Sequence, residues 1–172
     1  MLCMKGDDDM KNHSVRPADD EIENTVKQYS DMLFRLCFSM LCKRADAEDA
    51  VSDTFIRYIT NSPGFNGEEH KKAWLIRVAA NICKDMHRFN KRNTAVNIDE
   101  FTNFGVSDKE SGILADVMRL PYKYKSVIHL FYIEGYKTAE ISDILSVSPS
   151  AVRKRLEYGR KMLKMEYEEG IK

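Results

Sequence analysis

The chain has no long apolar run. No stretch approaches the length of a membrane span, and Asp7, Asp8 and Asp9 stand where a signal peptide would carry its apolar segment. The sequence therefore predicts no membrane insertion and a cytoplasmic location. Cysteine is sparse. None of Cys3, Cys37, Cys42 and Cys83 forms a C-x-x-C, and none has a histidine at metal-ligand spacing, so no metal site is expected. The last three lie in apolar helical stretches and read as buried free thiols, a usage suited to a reducing compartment. His13, His70, His87 and His129 are scattered. No Ser/His/Asp set, paired carboxylates or phosphate loop accompanies them, so neither an enzyme nor a cofactor is expected, and His129 reads as structural. Strand signals and internal repeats are also missing.

Net charge is absent as well: 27 Lys and Arg balance 27 Asp and Glu. That total alone argues against a nucleic-acid partner, but the distribution reverses the argument. Lys71–Arg92 holds seven basic residues and the single acid Asp85, and Pro149–Lys164 holds six and the single acid Glu157. Acids gather in the first sixty residues and between Asp99 and Asp116. Two basic blocks set apart by acidic ones point to two contact surfaces of one sign and a different partner elsewhere.

What is present is helical periodicity, and it predicts an all-α chain of two small domains on a flexible linker. Residues 1–20 are polar and aperiodic and read as a disordered tail, with Met4 and Met10 as alternative starts beside Met1. A first helix is expected over about Glu21–Cys42, with Ile22, Val26, Tyr29, Leu33, Leu36 and Met40 on its buried face. A second starts at Asp46 as N-cap, with Asp49 three residues on, and buries Ala47, Ala50, Val51, Thr54, Phe55 and Tyr58. Asn61-Ser62-Pro63-Gly64 breaks it, and a third helix spans about Glu68–Phe89. These elements make a domain of residues 21–92. Residues 93–111 lose the period and read as a linker that Phe101 and Phe104 can anchor. The second domain, 112–166, holds a short helix ending at Leu120-Pro121, then one with Tyr124, Val127, Ile128 and Phe131 inward that Gly135 stops. Thr138 caps a helix to Leu145, Ser146–Ser148 turn, and Ser148 caps a last helix with Pro149 first. Residues 167–172 are a tail.

Helix, three-residue turn and helix is the spacing of a helix-turn-helix. Val152, Leu156, Gly159 and Leu163 form the inner stripe of the last helix. Ser150, Arg153, Lys154, Glu157, Arg160, Lys161 and Lys164 face away. A major groove admits one helix and arginine suits guanine edges, so Ser150, Arg153 and Lys154 are expected at bases and the later cations at phosphates. An ordinary solvated face is the plainer alternative; cap, turn and basic face together favour DNA.

The third helix is amphipathic in a different way. Trp74, Arg77, Asn81, Asp85, Arg88 and Arg92 share one stripe, flanked by Lys84 and Lys91. Leu75, Val78, Ala79, Ile82, Met86 and Phe89 share the adjacent one. Cations for phosphates beside an asparagine and an aromatic suit an opened nucleic-acid strand. Core packing of Trp74 and intrahelical Asp85–Arg88 or Asn81–Asp85 pairs serve equally as explanations. On the second helix Asp46, Asp49, Ser52 and Asp53 face outward with Ile56 among them, either a docking surface or a solvated acidic face.

The ordered set "DAEDAVSDTFIRY", "AWLIRVAANICKDMHRFNKR" and "LPYKYKSVIHLFYIEGYKTAEISDILSVSPSAVRKRLEYGRKML" resembles the extracytoplasmic-function group of sigma-70 transcription factors over about Glu21–Lys164. Asn81, Asp85 and Arg88, in Asn-x-x-x-Asp-x-x-Arg, and Leu120-Pro121 are among its more specific marks. The resemblance implies a non-enzymatic factor that binds RNA polymerase core, directs it to promoters and nucleates their melting. It implies that Asp46, Asp49, Ser52, Asp53 and Ile56 dock on the clamp of the largest subunit, and that the flap of the second-largest subunit is a further partner. The segment 62–92 would melt and read the −10 element, through Trp74, Arg77, Asn81, Lys84, Asp85, Arg88, Lys91 and Arg92, with the loop before Trp74 capturing a flipped base. The last helix would read the −35 element through Ser150, Arg153, Lys154, Glu157, Tyr158, Arg160 and Lys161. An anti-sigma factor is a further partner that the resemblance allows. The sequence departs from the family at Ser52, where Gln is frequent, and at Tyr158, a frequently basic position. A stand-alone helix-turn-helix regulator is the alternative function.

Overall fold

The structure, a computed structural model, describes residues 16–90 and 116–169, the side chains of 90 and 165–169 excepted. All regular structure there is helical: α1 Asp19–Leu41, α2 Arg44–Asn61, α3 Glu68–Asn90, α4 Tyr122–Tyr132, α5 Thr138–Leu145 and α6 Pro149–Glu169. A short helical turn at 116–119 precedes α4. The expected linker, with Phe101 and Phe104, and the bulk of the N-terminal tail lie outside the described residues.

Helices α1, α2 and α3 pack pairwise on one another. Their stripes meet largely as the periodicity requires: Tyr29, Leu33, Leu36 and Met40 from α1, Ala47, Ala50, Phe55 and Tyr58 from α2, and Leu75, Ala79 and Ile82 from α3 are buried. Ile22, Val26, Val51, Val78 and Met86 pack at the margin. Phe89, expected on the inner stripe, is 67% exposed, and the last turn of α3 meets the second helical set through His87 instead. Ile76, Ala80 and Cys83 are buried instead. The buried face of α3 is thus wider than one stripe.

Helices α4, α5 and α6 form the second packed set. Gly135 adopts φ 76 after α4, and the Tyr136 amide donates back to the Leu130 carbonyl at 2.9 Å, a left-handed C-terminal closure that favours glycine. Two caps differ from expectation. Asp46 lies inside the first turn of α2, which starts after Lys43, and its carboxylate pairs with Lys43 Nζ at 3.2 Å instead of capping. Thr138 is the first helical residue of α5; the cap residue is Lys137, whose amide donates to the Glu140 carboxylate at 2.7 Å. In both cases the helix begins earlier than the best capping side chain, since a carboxylate in the first turn also offsets the exposed amides. Ser148 does cap α6: its Oγ accepts from the Ala151 amide at 3.2 Å.

The two sets touch. Helix α4 packs on α1 and α5 on α3, and the apolar core is continuous between them. Tyr122 stacks on His87 with centroids 4.3 Å apart, and burial pushes the Tyr122 hydroxyl far above its usual range. Lys72 on α3 reaches the Glu134 carboxylate at 3.7 Å and lies over the Tyr136 ring. Glu134 also faces Nε2 of the fully buried His129 at 3.6 Å. Burial opposes the Glu134 charge, but His129 and the nearby Lys72 and Arg35 outweigh it and hold the carboxyl below its ordinary value.

Candidate nucleic-acid interface

The last two helices build the turn that the spacing predicted. Helix α5 ends at Leu145, Ser146 takes a left-handed conformation at φ 52, and α6 starts at Pro149. Val152 and Leu156 are buried, and Gly159 lies so close to α4 that an added Cβ would stand 2.8 Å from Ile128 Cγ1. Docking that stripe leaves Ser150, Arg153, Lys154, Glu157, Tyr158, Arg160 and Lys161 exposed. They are not equivalent. Arg153 and Lys154 project from the first two turns. Ser150 Oγ is 3.0 Å from Ser148 Oγ. Tyr158 leans toward the Tyr124 ring at 6.2 Å. Arg160 turns back on its own domain: Nε donates to the Tyr132 hydroxyl at 2.6 Å, and the guanidinium lies over the Phe131 and Tyr132 rings.

The polar stripe of α3 divides. Arg77, Asp85 and Arg88 are exposed, whereas Asn81 and Lys84 are half-covered. Asp85 and Arg88 form an intrahelical pair at 3.8 Å, one of the alternatives that spacing left open. Trp74 is half-buried and packs against Phe65 and Tyr58, centroids 5.6 and 6.5 Å away; its indole is a structural wall as well as a surface. Lys91 and Arg92 lie outside the described residues. Asn81, Lys84 and Arg88 border a cleft of about 210 Å³ that the second helical set closes with Tyr122, Lys123, Ser126 and Arg155. Sequence reasoning did not single out Arg155 or Lys123, because only the packing of α4 and α6 across α3 brings them there.

The loop before Trp74 borders a second cleft, about 330 Å³, between Pro17, Glu21, Ser62–Phe65, Gly67, Glu68 and Lys71. Lys71 organises its floor. Its ammonium pairs with Glu21 at 3.2 Å and Glu68 at 3.0 Å. Burial disfavours that charge, but the bonds to the two carboxylates prevail and keep it protonated beyond the ordinary lysine range. Glu68 is held low by Lys71 and by the Tyr29 hydroxyl, which donates to it at 2.9 Å. Burial, then that bond to Glu68, push Tyr29 up to about 12. Tyr58 donates to Glu21 at 3.1 Å. Carboxylates beside an aromatic wall can accept from an exocyclic amine and stack a ring. The sequence had marked the loop only through the family resemblance, and neither Glu21 nor Lys71 was singled out.

On α2, Asp49, Ser52 and Asp53 are exposed, Ile56 is 56% exposed, and Asp46 is half-covered beside Lys43. Ser52 Oγ donates to the Glu48 carbonyl of its own helix at 2.9 Å. Among the described residues there is no His, Cys, Asp and Glu grouping able to hold a metal, and no helix long and apolar enough to cross a membrane.

Comparison with known proteins matches residues 25–93 to sigma-70 region 2 and residues 115–163 to sigma-70 region 4. The chain is 28% identical over 165 residues to the ECF RNA polymerase sigma factor SigW of Bacillus subtilis, covering 84% of this chain and 88% of SigW. It is 24% identical over 145 residues to SigV of the same organism, covering 82% and 87%. Among solved structures, CnrH in complex with the cytosolic domain of CnrY has the same fold, with a TM-score of 0.64 and 23% identity over 88% of this chain and 90% of that one. RpoE of Bartonella quintana, in complex with the anti-sigma factor NepR, also has a TM-score of 0.64, with 17% identity over 85% and 96%. Two matched regions in the family's order, on a fold that its members share, establish that the chain belongs to the sigma-70 family, in its extracytoplasmic-function group.

Proposed function

We propose that this sigma factor works by a division of labour among three faces. The outward edge of α2, with Asp46, Asp49, Ser52, Asp53 and Ile56, docks on the clamp of the polymerase's largest subunit. The polar stripe of α3, with Trp74, Arg77, Asn81, Lys84, Asp85 and Arg88, engages the −10 element as it opens, and Lys91 and Arg92, which follow in the sequence, add to that contact. The exposed face of α6, with Ser150, Arg153, Lys154, Glu157, Tyr158, Arg160 and Lys161, reads the −35 element. The second unit also meets the flap of the second-largest subunit. The observation that carries the reading is the Ser148-capped start of α6, which leaves Arg153 and Lys154 uncovered in the two turns that enter a groove in helix-turn-helix complexes. The factor acts in the cytoplasm, and an anti-sigma factor is a further partner of the kind that RpoE of Bartonella quintana was solved with.

Catalysis belongs to the polymerase; this chain supplies binding and strand capture. The 330 Å³ cleft before Trp74 offers carboxylate acceptors at Glu21 and Glu68 for the amine of an unstacked base. A run-off transcription reaction tests the whole reading. Core enzyme plus this chain should initiate from a defined set of promoters, and core alone should not. Tight binding of promoter DNA by the chain without core, combined with no stimulation of transcription, would instead identify a stand-alone regulator.

A further inference from the structure

We propose that the cleft of about 210 Å³ between α3 and the second helical set is a binding site for the di- or triphosphate group of a small anion, held by cations from both sets at once. Lys84 of α3 stands on one side, with the Asn81 amide beside it. Lys123 and Ser126 of α4 and Arg155 of α6 stand on the other. Arg88 also borders the opening, but its guanidinium pairs with Asp85 at 3.8 Å. Among the described residues, no carboxylate lines the cleft.

These polar groups are drawn away from water and left unmatched, which points to a ligand. Lys84 and Arg155 are each half-covered, and among the described residues neither has a hydrogen bond or an ion pair. Covering a cation without a counter-charge is unfavourable. Lys123 lies over the Tyr124 ring at 4.7 Å, a contact that leaves the three donors of its ammonium unused. Ser126 is only 3% exposed, yet its hydroxyl has no hydrogen-bond partner among the described residues. The outer face of α6 provides the contrast. Arg153, Lys154 and Lys161 are exposed there, and water satisfies them.

Size and charge select the ligand. The cleft is smaller than the roughly 300–1,000 Å³ of sites that enclose a drug-sized molecule, and an α-helix with its side chains is about 10–12 Å across. Neither a whole nucleotide nor a helix of a partner protein fits inside. A chain of phosphates is compact and carries negative charge and acceptor oxygens along its length. The Arg155 guanidinium can take one phosphate by two parallel hydrogen bonds, while the Lys84 and Lys123 ammoniums meet the next as point charges. Ser126 and Asn81 donate to the remaining oxygens. A lone phosphate reaches only one side. The group comes either from an inorganic phosphate chain or from the tail of a nucleotide whose ring stays at the mouth. One ligand then ties α3 to α4 and α6 and stabilises the docked sets. It also covers Asn81 and Lys84, so its effect on the −10 strand, though not the site itself, rests on the function proposed above.

The test titrates the full chain, in metal-free buffer, with inorganic phosphate, pyrophosphate, tripolyphosphate and ATP by calorimetry. Tripolyphosphate or ATP should bind roughly tenfold more tightly than inorganic phosphate and raise the melting temperature. Equal affinity for both assigns the site to the phosphate chain alone. Tighter binding of ATP names nucleotides as the source, and tighter binding of tripolyphosphate names the inorganic chain. Lys123→Ala and Arg155→Ala should each weaken binding roughly tenfold, and Arg155→Lys by less. Lys27→Ala, which removes a cation from the exposed surface of α1, should change nothing. If Arg155→Ala does not fold, Lys123→Ala, at an exposed position, decides the matter. Three results overturn the proposal: inorganic phosphate binding as tightly as the chains, equal weakening by Lys27→Ala, or binding of a short single-stranded DNA without binding of any phosphate chain. A failed run-off reaction would leave these titrations standing, and failed titrations would leave the run-off result standing.

Discussion

Arg153 and Arg160 lie seven positions apart on the same exposed face of α6, and the structure gives them different work. Arg153 is free to offer two parallel donors to a guanine edge. Arg160 already donates to the Tyr132 hydroxyl at 2.6 Å and covers two rings. Arg153→Ala should therefore cost about 1–3 kcal/mol in promoter affinity and relax preference at one or two base pairs. Arg160→Ala should lower the melting temperature as well as weaken binding to all sequences. Selection from a promoter library with reconstituted holoenzyme, alongside thermal melts of the free protein, separates the two; an unchanged −35 preference for Arg153→Ala means that the helix sits in the groove in another register. On α2, reversing Asp49 and Asp53 to Lys should reduce affinity for core at least tenfold with helicity unchanged, since like charges against a basic partner cost several kcal/mol. Core binding by fluorescence anisotropy checks this, and equal affinities would make the acidic face merely solvated. Individual outward residues such as Arg153 were legible because helical spacing alone decides which side of α6 is dry. The aromatic bracket on Arg160 was not, because Tyr132 is on another helix.

At the level of elements, the periodicity of apolar residues placed α1–α6 to within a few residues, and the Ser148-Pro149 start was readable from two adjacent letters. The starts of α2 and α5 were misplaced for a common reason: Asp46 and Thr138 are good capping residues, yet Lys43 and Lys137 hold the cap positions. Side-chain capping contributes only about 1 kcal/mol and packing easily overrides it. Glycine shows the same dependence on context. Gly159 sits in a helix interior, where alanine would gain up to about 1 kcal/mol of propensity, but the Cβ would meet Ile128 at 2.8 Å. Overpacking costs about 1–3 kcal/mol, so Gly159→Ala should be destabilising on balance. Gly64→Ala has open space around it and no left-handed backbone, and should be neutral or stabilising by under about 1 kcal/mol. Urea denaturation of both variants tests the contrast; a stabilised Gly159→Ala would mean that Ile128 has room to turn aside.

Across the whole molecule, the unread part of the sequence is the contact between the two helical sets. Nothing in the spacing of Lys72 and Glu134, or of His87 and Tyr122, announces that they meet, because each is separated by a segment with no periodic pattern. We propose that the sets fold as two units that dock. Lys72→Glu, which puts a carboxylate beside Glu134, should then split thermal unfolding into two transitions and enlarge the scattering radius; a single unshifted transition argues for one indivisible unit. The same contact has a pH dependence. A carboxyl held below its ordinary value binds protons more readily when unfolded. Its stabilising contribution is therefore full above that value and is lost as pH falls through the lower folded value. Wild type should lose stability more steeply than Glu134→Gln below about pH 4.5 in denaturant titrations, and parallel curves would assign acid sensitivity elsewhere.

The 210 Å³ cleft between α3 and the second set has a lining that includes Lys84, Arg88, Lys123 and Arg155 and no acid. Arg88 is paired with Asp85, but Lys84 on one side and Lys123 and Arg155 on the other repel across the opening, and dissolved ions screen that push over about 10 Å at 0.1 M. Rising ionic strength should thus steady the docked form. It also weakens contacts with phosphates, so salt acts by two routes at once, one on the DNA contacts and one on the shape of the factor. A scattering radius that shrinks as salt rises, in the absence of any DNA, isolates the second route.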